Sequence, residues 1–70
     1  MVLGEYLKNY RIKHNLTQNR MAYELGTSQS YYSRIESGKT KPGMLMIRTI
    51  AYHIGVSESY IVRLNNENNK

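Results

Sequence analysis

The chain has 70 residues, with ten Lys and Arg against five Glu, no Asp, no Cys and a net charge of +5. That length holds one domain with a small core, and the missing cysteine excludes a disulfide framework and any thiolate metal site. Residues 1–42 carry seven of the basic residues and three of the acids, so the positive balance is concentrated there and points to an anionic partner such as nucleic acid. No run is long and apolar enough to span a bilayer. The start lacks the basic residues and apolar run of a secretory signal, so the expected compartment is the cytoplasm, without membrane contact.

The first predicted element lies in VLGEYLKNYRIKHN. Leu3, Leu7 and Tyr10 recur at i, i+4 and i+7 and form the buried stripe of a helix, with Tyr6 at its border. Gly4 weakens the start of that helix. Arg11 falls on the inner edge of its last turns. His14 and Asn15 end it, and Leu16 is expected to plug the core before the next element.

A second helix runs from about Gln18 to Leu25, with Met21, Ala22 and Leu25 on one face. Thr17 caps its start and Gly26 its end. Ser28 caps a third helix, which reaches about Ser37 and stops at Gly38. Two helices joined so tightly through glycine suggest a helix-turn-helix. At about 100° per residue, Ile35 and Glu36 fall within about 60° of Tyr32, and Ser30 and Arg34 lie on the opposite side. Tyr32 and Ile35 therefore face inward. Ser30, Arg34, Tyr31, Ser33 and Ser37 face outward, with Ser28 and Gln29 at the helix tip. That outer face offers hydrogen-bonding groups and no carboxylate, which suits DNA and equally suits an ordinary solvated helix. An inward Glu36 needs a partner.

The loop KTKPG follows, and MLMIRTIAYHI reads as a fourth helix that packs through Ile47, Ile50, Ala51 and Ile54, joined by Met44. Leu45 and Met46 exceed the needs of that stripe. Gly55 ends the helix and Ser57 caps a fifth, at about Glu58 to Leu64, which offers Ile61 to the core. Tyr60, Val62 and Leu64 cannot all face inward with Ile61, so they form a candidate partner surface; scattered exposed apolar groups are also ordinary. Residues 65–70 read as a polar, frayed end. The expected domain spans residues 1–64.

TQNRMAYELGTSQSYYSRIESGKTKP resembles the core of the phage repressor and Cro family of helix-turn-helix proteins, the xenobiotic-response-element type. The carriers of the resemblance are Thr17-Gln18, Met21-Ala22, Leu25-Gly26, Ser28, Ser33, Glu36, Gly38, Lys39, Lys41 and Pro42, and the likeness covers roughly residues 3–64. Met21 stands where the family usually has Leu, Tyr32 where it has a smaller aliphatic residue, and Asn19-Arg20 where an acidic pair is common. The resemblance implies an all-α fold, a compact five-helix bundle like the DNA-binding domain of the lambda repressor. It implies a bacterial or phage-encoded regulator of transcription, most simply a repressor, that reads double-stranded DNA with the helix at about 28–37.

By family position, Thr17 and Gln18 present the second helix to a phosphate. Gln29 is placed for adenine and Arg34 for guanine, while Ser28, Ser30, Tyr31 and Ser33 make shorter contacts. Lys39, Thr40 and Lys41 lie along the phosphate backbone. An arginine at position 11 pairs with the glutamate at position 36. The expected partner is a pseudo-palindromic operator bound by a homodimer, whose candidate interface is Tyr60, Val62 and Leu64, extended by Leu45 and Met46. The alternative is an antitoxin or adaptor module that docks a protein through its last helix and binds DNA weakly.

Enzymatic chemistry has little support. His14 and His53 fall on different elements without metal-ligand spacing. No nucleophile–base–orienter set can be nominated, and no Gly-rich phosphate loop is present. The expectation is a protein that is not an enzyme and needs no cofactor or metal.

Overall fold

A computed structural model describes residues 1–67. Five helices follow in order: α1 (Leu3–Lys13), α2 (Gln18–Glu24), α3 (Gln29–Glu36), α4 (Met44–Ile54) and α5 (Glu58–Asn66). Among the described residues there is no strand. α2 packs on α3, α4 packs on α5, and α1 bridges the two pairs by touching α3 and α5.

The helix ends follow from local chemistry. Thr17, Ser28 and Ser57 each accept a backbone N–H three residues on, at 3.0, 3.1 and 3.1 Å, which satisfies donors that the first turn leaves open. At the end of α2, Gly26 takes φ +74°, and the Gly26 and Thr27 amides donate to Tyr23 and Ala22 carbonyls at 3.0 and 2.9 Å. Gly38 repeats this after α3. A side chain at either position would strain the left-handed turn that keeps the helix-turn-helix short. α1 ends the same way with Asn15 (φ +58°) in the glycine's place, a residue that tolerates the left-handed region.

Leu3 and Leu7 meet Met21, Ala22, Leu25, Tyr32, Ile35, Ile47, Ile50, Ala51, Ile61 and Leu64 in one buried cluster. Tyr10, Leu16 and Ile54 lie half-buried at its edge.

Four expectations are corrected. Met44 does not join the core: it opens α4 and is half exposed. Leu64 is not available to a partner, because it is 3% exposed and packs in the core. α5 continues through Asn66, and Asn65 Nδ2 donates to the Pro42 carbonyl at 3.2 Å, so residues 65 and 66 belong to the fold; residues 68–70 of the expected polar end lie outside the described residues. Gly4 is buried within α1 instead of weakening it. A Cβ there would collide with the Glu36 carbonyl oxygen and sit 2.9 Å from its carbon and 3.0 Å from the Ile35 oxygen. Gly4 is thus where α1 presses directly on the backbone of α3.

Candidate nucleic-acid interface

The N-cap Ser28 and, on α3, Gln29, Ser30 and Arg34 are exposed to solvent, and Lys39 and Lys41 follow on an exposed loop. Tyr31 and Ser33, expected to flank this face, are half-buried, and Tyr31 packs against the core. Thr40 is half-buried. Its hydroxyl accepts from Arg34 Nε at 3.1 Å.

The face carries no carboxylate because Glu36 turns the other way. Arg11 holds it at two points, Nε to Oε2 at 2.9 Å and Nη2 to Oε1 at 3.0 Å, a geometry that suits the guanidinium fork. The third Arg11 nitrogen, Nη1, donates to the Leu16 carbonyl at 3.0 Å. The Glu36 side chain is 5% exposed and that of Arg11 15%. Burial pushes the Glu36 carboxyl upward, but hydrogen bonds from Arg11 and Gln18 outweigh it and hold the group below the usual carboxylate range.

Gln18 is where the structure departs most from the sequence reading. Its amide nitrogen donates to Glu36 Oε1 at 3.0 Å, so the side chain faces the ion pair and is half-buried. Thr17 is exposed, but its hydroxyl is committed to the Arg20 amide. Arg20 pairs with Glu24 at 2.8 Å, the i,i+4 spacing of one helix face. Glu24 also meets His53 Nε2 at 3.0 Å and thereby links α2 to α4. No local periodicity signals that contact, since the partners are 29 positions apart in the chain. Among the described residues no group of His, Asp or Glu is placed to hold a metal ion, and no helix is long and apolar enough to cross a membrane.

Beside the Arg11–Glu36 pair lies the Tyr32 hydroxyl, buried and without a hydrogen-bond partner. It lies within electrostatic reach of the Glu36 carboxylate but outside hydrogen-bonding geometry. Burial, reinforced by the Glu36 charge, raises the phenol far above its ordinary pKa. An unpaired buried hydroxyl costs stability. Tyr32→Phe is therefore expected to leave the fold intact and raise its stability by up to about 1 kcal/mol, read from the urea midpoint at constant slope. A loss above about 1 kcal/mol would show that the hydroxyl has a partner after all.

Residues 4–67 match the helix-turn-helix domain family. The chain is similar to an uncharacterized HTH-type transcriptional regulator of Methanocaldococcus jannaschii, 44% identical over 45 residues, which are 64% of this chain and 68% of that protein. With five helices, the capped two-helix motif at residues 17–38 and a family match over nearly the whole chain, the protein belongs to the helix-turn-helix domain family of the xenobiotic-response-element type.

Proposed function

We propose that the protein is a transcriptional regulator that recognises a specific double-stranded DNA site by laying α3 in the major groove. The observation that carries this reading is the outer face of α3, where Gln29 and Arg34 are exposed and the helix's one carboxylate is withdrawn into the ion pair with Arg11. Gln29 pairs with adenine and Arg34 with guanine O6 and N7. Lys39 and Lys41 touch phosphates and set register without reading sequence. Occupancy of a site that overlaps a promoter makes such a protein a repressor. Membership of the family and the relative's description as a transcriptional regulator support the same reading.

The test is selection of bound sites from random duplex, followed by two variants on the selected site. Arg34→Ala should lose about 1–3 kcal/mol at one guanine position and relax preference there. Lys41→Ala should weaken binding evenly on all sequences and reduce the log–log salt slope by about one. Equal affinity for selected and random duplex would end the proposal.

The same reading calls for two copies, because one reading helix discriminates poorly among genomic sites. A two-fold pair sets two α3 helices about 34–36 Å apart on a near-palindrome with half-sites roughly 10 base pairs apart. With Leu64 in the core, the interface shifts. Tyr60 is half-buried and meets the Tyr6 ring edge-on at 5.6 Å, and Val62 is half-buried against the core. Of the exposed large apolar side chains among the described residues, the two most exposed are on α4, Leu45 at 80% and Tyr52 at 91%, ahead of Tyr23 on α2 at 74%. Leu45 and Tyr52 stand two turns apart on one face, and Arg48 lies between them in sequence, beside Glu58 at 3.4 Å. An antiparallel second copy would set Leu45 against Tyr52 and exchange Arg48 and Glu58 across the axis, a self-complementary arrangement. Leu45→Glu is expected to abolish the dimer in sedimentation without unfolding the chain, since the residue touches little. A wild-type monomer, or a dimer indifferent to Leu45→Glu, would remove this interface.

A further inference from the structure

The chain leaves α3 at Gly38 and doubles back on Arg34. The amides of Lys39 and Thr40 both donate to the Arg34 carbonyl, at 2.9 and 3.2 Å, and the Ser37 hydroxyl donates to the same oxygen at 3.2 Å. Thr40 then grips the residue a second time, through the bond from Arg34 Nε to its hydroxyl at 3.1 Å. Residue 40 is thus tied to residue 34 at both backbone and side chain. On the reading of Arg34 as the side chain that recognises guanine, we propose that Thr40 is its positioning residue and sets sequence specificity without touching a base.

The physical basis is the guanidinium's fixed set of five N–H donors. Thr40 occupies Nε. The four donors on Nη1 and Nη2 remain as an end-on fork, and two parallel donors match the adjacent O6 and N7 acceptors of guanine. An exposed arginine otherwise surrenders much rotamer freedom when it docks, and fixing the side chain beforehand lowers that cost. A hydroxyl has an advantage over a carboxylate here. It orients the guanidinium while leaving its full positive charge, and it adds no negative charge beside the phosphates. Thr40 also sits between Lys39 and Lys41, so the loop that engages the backbone of the duplex is the one that aims the base-reading side chain.

The test compares the full chain with Thr40→Val and Thr40→Ser on the selected site and on its three substitutions at the Arg34-dependent position. Valine keeps the branched shape and the amide bond to Arg34 but removes the acceptor. It should lower discrimination at that one position by roughly three- to tenfold. The salt slope and the melting temperature should stay unchanged, and any loss on random duplex should be smaller than the loss at that position. Serine should restore discrimination. In an Arg34→Ala background, Thr40→Val should change nothing further. The proposal is overturned if valine weakens all sequences alike, if serine behaves as valine does, or if the loss persists without Arg34. Should Arg34→Ala itself leave base preference untouched, the reading of Arg34 fails and the proposal with it. Should Arg34→Ala abolish the preference while Thr40→Val retains it, the role of Thr40 alone is refuted.

Discussion

Glu36→Ala should destabilise the protein by about 3 kcal/mol or more, because it leaves the Arg11 guanidinium largely buried without its counter-charge. The range for breaking such a pair is about 3–5 kcal/mol, and the residual exposure of Arg11, 15%, places the expectation at its lower end. An exposed pair such as Arg48–Glu58 would show about 0–1 kcal/mol. Arg11→Ala should cost a similar amount by stranding the carboxylate, and the double variant should lose far less than the two singles together. Denaturant unfolding of the four proteins measures this, and a coupling near zero would refute it. The pair also has a pH signature. The folded carboxyl lies below its unfolded value, so its stabilisation is complete above the ordinary carboxylate range and disappears as pH falls through the lower, folded value. Glu36→Gln should remove that acid-side loss.

The second large effect concerns Gly4. In an open helix, Gly→Ala stabilises by roughly 0.5–1 kcal/mol through backbone entropy. At Gly4 the sign should reverse. The added Cβ meets the carbonyl groups of Glu36 and Ile35, and backbone cannot turn aside as a side chain does. Overpacking of this kind costs about 1–3 kcal/mol, so Gly4→Ala should lower the melting temperature, and Gly4→Val should do so further. An increase with alanine would mean that α1 can slide along α3. Both Gly4 and Arg11 bear on Glu36, one on its backbone and one on its side chain, so their effects should not add.

Helix order and most of the core were legible because the relevant signals are local. Thr17, Ser28 and Ser57 mark helix starts by their side chains, and Leu3, Leu7, Ile47, Ile50 and Ile61 follow from spacing alone. What was not legible depends on what lies across the gap. Met44 continues the stripe of Ile47, yet it lies at the first position of α4 and remains half exposed. Leu64 stands three residues after Ile61, within about 60° of it on the wheel, so its inward turn was legible from spacing and was obscured only by grouping it with Tyr60 and Val62. A glycine near a helix start reads as weakness until the partner backbone is in view. The outer face of α3 was readable as a set of residue types. The turn of Gln18 toward Glu36 and the bond between Arg34 and Thr40 were not, since the first crosses from α2 to α3 and the second reaches into a loop, and periodicity along one helix reports neither.

The inward turn of Glu36 also bears on the protein's encounter with a ligand. Glu24, Glu36 and Glu58 each have an arginine beside them, so their charges largely cancel when seen from a distance. Arg34, Lys39 and Lys41 have no such neighbour among the described residues. These three cations flank the outer face of α3, and their unpaired charge should draw an approaching polyanion toward that side. The frequency of productive collisions should then fall steeply with added salt for any duplex, matched or mismatched, while the lifetime of the matched complex depends on the base contacts that follow.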